Sequence, residues 1–260
     1  MKRLERADNL GTMTRQRVCP LATPNADETT QSVNQQGDEH RVDLLFVNPP
    51  APDGAIWIRG QHRVGRRSRE GMIWAQVSLA QLAALFPDKR VEIVDAIAQH
   101  MTWPAFEALL DARQPRFYVT QLTGPTLQND MYGVFLAKAR GALTVAFGTH
   151  VTPMPVSTME AFPALDYALR GEPELTLREL VDTLGNAEPG EASVGGPWSG
   201  LDPAFQERLS RLYRESLPVW SPAWASSVTS RERIASITGL VWRDGASIIM
   251  NKERPLIAKL

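Results

Sequence analysis

Four short runs in this 260-residue sequence set amide, hydroxyl, imidazole or carboxylate groups beside glycine or proline, where a ligand can approach the backbone closely. In Asn48-Pro49-Pro50-Ala51-Pro52-Asp53-Gly54, Asn48 can offer its amide to a ligand edge, or the run can simply end a strand in a rigid turn. In Thr120-Gln121-Leu122-Thr123-Gly124-Pro125-Thr126, side-chain donors converge with the free N–H groups of a following helix, which suits an anionic or amide-bearing ligand. Capping of that helix by Thr123 or Thr126 is the alternative. In Gly148-Thr149-His150-Val151-Thr152-Pro153, Gly148 lets a ligand come near the chain, and a bulky residue there is expected to block the site without harming the fold. His150 has no second His or Cys near it in sequence, so it reads as a hydrogen-bonding or packing residue rather than a metal ligand. In Arg170-Gly171-Glu172-Pro173-Glu174, the carboxylates can contact a ligand or serve the first turn of a helix. A fifth run, residues 59–71, crowds Arg59, Arg63, Arg66, Arg67 and Arg69 beside His62: either a receptor for phosphates and carboxylates or a solvated loop.

Other chemistries are excluded by what is missing. With 28 basic and 29 acidic residues the net charge is −1, so no nucleic-acid partner is expected. No apolar stretch is long enough for a membrane span and no signal peptide opens the chain, so a cytoplasmic location is expected. Cys19 is the single cysteine, which rules out an internal disulfide, a zinc ribbon or a four-iron cluster held by this chain alone. There is no G-x-G-x-x-G after the first strand, no Walker A motif and no G-x-S-x-G elbow.

The elements that must position these runs alternate. Residues 1–41 lack aromatics and are rich in polar residues, and read as a disordered leader. Apolar runs at 42–48, 91–96, 116–122, 143–148 and 166–171 read as strands. Between them, 72–86, 104–113, a stripe through Leu127, Met131, Val134 and Phe135, and a stripe through Leu177, Leu180, Val181 and Leu184 read as helices. The alternation implies a flavodoxin-like (Rossmann-like) α/β domain over 42–185, with a five-stranded parallel sheet of order 2-1-3-4-5 and helices on both faces. Its ligand crevice lies at the carboxyl ends of strands 1, 3 and 4. Residues 186–232 read as a linker, and 233–260 as a β-hairpin with Asp244-Gly245 in a type I′ turn.

The segments LLFVNPP, VEIVDA, AFGTHVTPMP, ALDYALRGEPELTLREL and ITGLVWRDG with RPLI resemble the N-terminal cobalamin-binding domain of B12-dependent radical S-adenosylmethionine enzymes. Within that family they are most similar to the branch holding the anaerobic magnesium-protoporphyrin monomethyl ester cyclase and related tetrapyrrole or hopanoid enzymes. The resemblance implies cobalamin over the strand ends. Its nucleotide tail would meet Thr120, Gln121, Thr123 and Gly148, and its corrin edge Thr149, His150 and Val151; Asn48, Gly124, Arg170, Gly171 and Glu172 complete the implied site. The D-x-H-x-x-G motif of histidine-ligated corrinoid proteins is absent, so the cobalt would carry no protein histidine. A C-x-x-x-C-x-x-C triad is absent too, so the four-iron cluster and S-adenosylmethionine would belong to a radical domain beyond residue 260 or in trans, and this chain would not be catalytic alone. A flavin-binding or regulatory module on the same sheet, or a ligand-free remnant, are the competing readings.

Overall fold

A computed structural model describes residues 41–60, 63–185 and 228–257. The leader, most of the linker and His62 therefore lie outside the described residues. In chain order the strands are β1 (Leu44–Asn48), β2 (Trp57–Gly60), β3 (Arg63–Arg67), β4 (Val91–Asp95), β5 (Phe117–Gln121), β6 (Leu143–Phe147), β7 (Tyr167–Leu169), β8 (Leu240–Asp244) and β9 (Ser247–Met250). The helices are α1 (Val77–Ala83), α2 (Trp103–Arg113), α3 (Leu127–Ala139), α4 (Pro155–Ala161), α5 (Pro173–Gly185) and α6 (Val228–Ser236).

β1, β5 and β6 are buried at every position, as strands covered on both faces must be. They form the middle of a sheet ordered β4-β1-β5-β6-β7-β8-β9, whose first five members pair in parallel. Those five keep the arrangement second, first, third, fourth, fifth. The complete sheet nevertheless has seven strands rather than five, because β8 pairs antiparallel with β7 and carries β9 with it. A separate two-stranded sheet, β2–β3, forms where a loop of arginines is expected.

Alternation of side chains along each strand divides the core. Leu45, Val47, Tyr118 and Ala146 face Phe106, Leu110, Met131, Val134 and Met159 of α2, α3 and α4. Leu44, Phe46, Phe117, Val119, Val145 and Phe147 face Leu79 and Leu82 of α1, Leu177, Leu180 and Val181 of α5, and Ile234 of α6. Gly133 inside α3 has a packing reason: a Cβ there would lie 2.6 Å from the Tyr118 hydroxyl.

Three local readings need correction. The helix expected over 72–86 is only α1, since Met72, Ile73 and Trp74 are exposed and the Met72 N–H donates to Ser68 Oγ instead (3.1 Å). Arg233-Ile234-Ala235-Ser236, expected at the start of the hairpin, closes α6, because Ile234 and Ile237, one helical turn apart, insert together into the core. The hairpin loop is Gly245-Ala246 with only Gly245 at positive φ (61°), the pattern of a type II′ turn and not type I′.

Gln114 ends α2 in the left-handed region at φ 41°, its N–H donating to the Leu110 carbonyl. Glycine adopts that conformation without a Cβ clash, so Gln114→Gly should stabilise the domain by about 0.5–1 kcal/mol in urea unfolding. A loss of stability would show that the Gln114 side chain contributes more than its backbone costs.

Candidate functional site

The carboxyl ends of β1, β5 and β6 come together as the parallel order requires, and the loops that follow them divide into two unlike halves. On the β1/β5 half the space is filled from within. The β2–β3 hairpin folds over the turn at Gly124–Thr126, and a Cβ at Gly65 would run into the Thr123 hydroxyl. From β2, Arg59 enters the interior and is 3% exposed. Its Nη1 donates to Asn48 Oδ1 (2.7 Å) and to the Pro49 carbonyl (3.1 Å), its Nε donates to Thr126 Oγ1 (3.2 Å), and its Nη2 lies 2.7 Å from Asp130 Oδ1.

Each partner is engaged in turn. Asn48 Nδ2 donates to Asp95 Oδ1 (2.7 Å), and Thr126 donates its single hydroxyl proton to Asp130 Oδ2 (2.6 Å), which leaves Thr123 as the donor to Thr126 (2.9 Å). Burial pushes the Asp130 carboxyl up to about 6, against the opposing pull of the Arg59 guanidinium. The amide of Asn48 and the hydroxyl of Thr123 thus serve this network. Thr120 is spoken for as well, its hydroxyl donating to the Val47 carbonyl (3.0 Å).

The β5/β6 half is different. Gln121 is 4% exposed, yet neither its Oε1 nor its Nε2 has a hydrogen-bond partner. Backbone groups beside it are satisfied without it: the Leu122 N–H donates to the Phe147 carbonyl (2.8 Å), and the Leu122 carbonyl accepts from the His150 N–H (3.4 Å). Half-buried Gly148 covers this side chain at φ 113°, and a Cβ there would come within 2.9 Å of Gln121 Cγ and 3.0 Å of the Leu122 carbonyl oxygen. The expectation that a bulky residue at 148 would leave the sheet intact is therefore corrected, because both the backbone angle and the contact with Leu122 exclude a side chain. His150 faces Gly124 across the opening, its Nδ1 being 3.9 Å from where a Gly124 Cβ would stand. Partial burial holds the His150 imidazolium below its usual range, so the ring is neutral near pH 7 and can accept as well as donate.

The remaining expected residues serve other ends. Val151 is fully buried in the core on the α4 side, away from any ligand surface, while Thr149 is exposed. Arg170 donates from Nη2 to the Asn251 carbonyl (3.3 Å), the Gly171 N–H donates to Thr152 Oγ1 (3.1 Å), and Glu172 Oε2 accepts from the Ile257 N–H (2.6 Å). Arg170 and Glu172 thus bind the segment after β9.

The sequence singles out Arg59 only as one of five arginines that could receive phosphates and carboxylates or lie in a solvated loop, and it passes over Asp130. A signal was present: Asp130 stands three residues after Leu127, on the same helical stripe as Met131 and Val134, where a carboxylate needs a buried partner. A further cleft of about 290 Å³, lined by Pro50, Ala55, Ile56, Ile97, His100 and Trp103 among others, opens between the loops after β1 and β4. Among the described residues no group of three or more His, Cys, Asp or Glu is placed to hold a metal ion, and no helix is long and apolar enough to cross a membrane.

The fold is an α/β module with a largely parallel sheet, at whose carboxyl edge Gln121, Gly148, Gly124 and His150 gather. No family model matches the chain. Over 111 residues it is 31% identical to an uncharacterized methyltransferase of Pyrococcus horikoshii; the stretch is 42% of this chain and 24% of that protein, so the chain spans about a quarter of this relative's length.

Proposed function

We propose that the chain is a Rossmann-like cobalamin-binding module of a larger methyl-transferring or radical S-adenosylmethionine enzyme, of the methyltransfer or oxidative-cyclisation kind. The observation that carries this reading is the partnerless amide of Gln121 beneath Gly148, at the strand ends where open α/β sheets take their ligands. Likeness to a methyltransferase is consistent with it, since a bound cobalamin supplies a methyl carrier. The residues that fit the cofactor are Gln121, Gly148 and, at the rim, Gly124, Thr149 and His150. Asn48, Thr120 and Thr123 hold the neighbouring half closed. The four-iron cluster and S-adenosylmethionine are assigned to another domain or partner.

Equilibrium dialysis of the whole chain against hydroxocobalamin and, separately, flavin mononucleotide tests the reading. Retention of the corrinoid and not the flavin is expected. The bound corrinoid should show no nitrogen ligand from the protein, so His150→Ala should leave its visible spectrum unchanged and weaken binding by about 0.5–1.5 kcal/mol, one hydrogen bond's worth. Flavin retention in place of corrinoid would move the chain to the competing module, and a His150-dependent cobalt spectrum would place the metal on a histidine.

A further inference from the structure

Resting on the corrinoid reading above, we infer that Gln121 is the specificity residue of this site and that it pairs with a carboxamide of the ligand, accepting and donating at once. Both polar atoms of a residue 4% exposed lack partners, so the chain alone leaves a neutral donor and a neutral acceptor side by side in an apolar setting. The same face of β5 carries Phe117 and Val119, and the adjacent strand carries Phe147. Neither β5 nor β6 carries a charged residue, and the Leu122 N–H and carbonyl are already paired.

That combination discriminates between ligand chemistries. A carboxylate or phosphate would satisfy Nε2 and be repelled by Oε1; an ammonium would do the reverse. A carboxamide satisfies both atoms and brings no charge into the buried space beside them. The glycine above the side chain belongs to the same arrangement, since a Cβ at 148 would press on Gln121 Cγ at 2.9 Å and close the approach. Corrinoids offer such groups in two places, the primary carboxamides around the ring and the amide that joins the nucleotide arm.

The test combines a near-isosteric variant with ligand analogues. Gln121→Met removes the partnerless atoms and keeps the volume, so without ligand it should melt above the wild type, while its Kd for hydroxocobalamin should rise about tenfold or more. A residue with a purely structural role would not move these two readouts in opposite directions. The wild-type chain should also bind cobyrinic acid, whose side chains are all carboxylates, about tenfold or more weakly than hydroxocobalamin. Cobyric acid, which keeps the ring carboxamides and lacks the arm amide, assigns the source. Binding like cobalamin points to the ring, binding like cobyrinic acid points to the arm, and either supports the pairing. If Gln121→Met or cobyrinic acid left affinity unchanged, the carboxamide pairing would be wrong and the corrinoid reading would stand; if the wild type bound no corrinoid, both would fall.

Discussion

Arg59→Met should be the most damaging single substitution in the domain, costing about 3–5 kcal/mol at a pH of about 8 and distinctly less at about 5.5. The guanidinium is the counter-charge of fully buried Asp130 and also ties down Asn48, Pro49 and Thr126. Without it, a carboxylate is left in the interior with a threonine and an asparagine as donors. The pH dependence follows from linkage. Burial already raises the Asp130 carboxyl to about 6 with Arg59 present, above its value of 3.8 in an open chain, and removal of the guanidinium raises it further. A group whose pKa is raised on folding stabilises the fold most below its unfolded pKa, and that contribution is lost as pH rises through the folded pKa. Lowering the pH therefore protonates Asp130 in the variant and relieves the penalty. Urea unfolding of wild type and variant at both pH values measures this; a difference that did not shrink toward acid would mean that Asp130 is not the group left stranded.

Gly148→Ala is expected to lower the melting temperature by about 6–12 °C, the equivalent of about 3 kcal/mol in a domain of this size. Holding a non-glycine residue in a sparsely populated region costs about 1–3 kcal/mol, and the overlap with the Leu122 carbonyl adds to it. Gly54 and Gly171 provide the control: they sit at φ 69° and 68° with nothing within 4 Å of an added Cβ, so alanine there should cost only about 1–2 kcal/mol of left-handed strain. Equal losses at 148 and 171 would show that backbone angle alone, and not the closeness of Gln121 and Leu122, demands glycine at the site.

The parallel part of the sheet was readable because its evidence is local. Leu44 to Asn48 and Leu143 to Phe147 are short apolar runs bounded by breakers, and the stripe Leu177, Leu180, Val181, Leu184 repeats at helical spacing within a single element. Misreadings arose where local pattern was ambiguous. Met72-Ile73-Trp74 has the composition of the helix that follows it but lies largely exposed, and Ile234 is β-branched yet buried from a helix. Of the implied site, Gln121, Gly148, His150 and Gly124 are brought together, whereas Val151 points into the core and Arg170 and Glu172 hold the segment after β9.

By itself, then, the sequence determined the five parallel strands, the helices Trp103–Arg113, Leu127–Ala139 and Pro173–Gly185, and that polar residues gather where those strands end. Only the tertiary structure decided which of those residues are tied up with partners inside the chain. Arg59 and Thr126 are 67 positions apart, and although the place of Asp130 on the α3 stripe calls for a buried partner, nothing in the arginine run reveals which of the five turns inward to meet it. The same holds for Gln121, whose amide reads like any polar strand end until the Leu122 N–H and carbonyl beside it are seen to pair elsewhere and leave both of its polar atoms without a partner. Periodicity is a property of neighbouring residues and survives in a linear reading. Satisfaction of a buried polar group is a sum over everything folded around it, and that sum exists only once the chain has closed on itself.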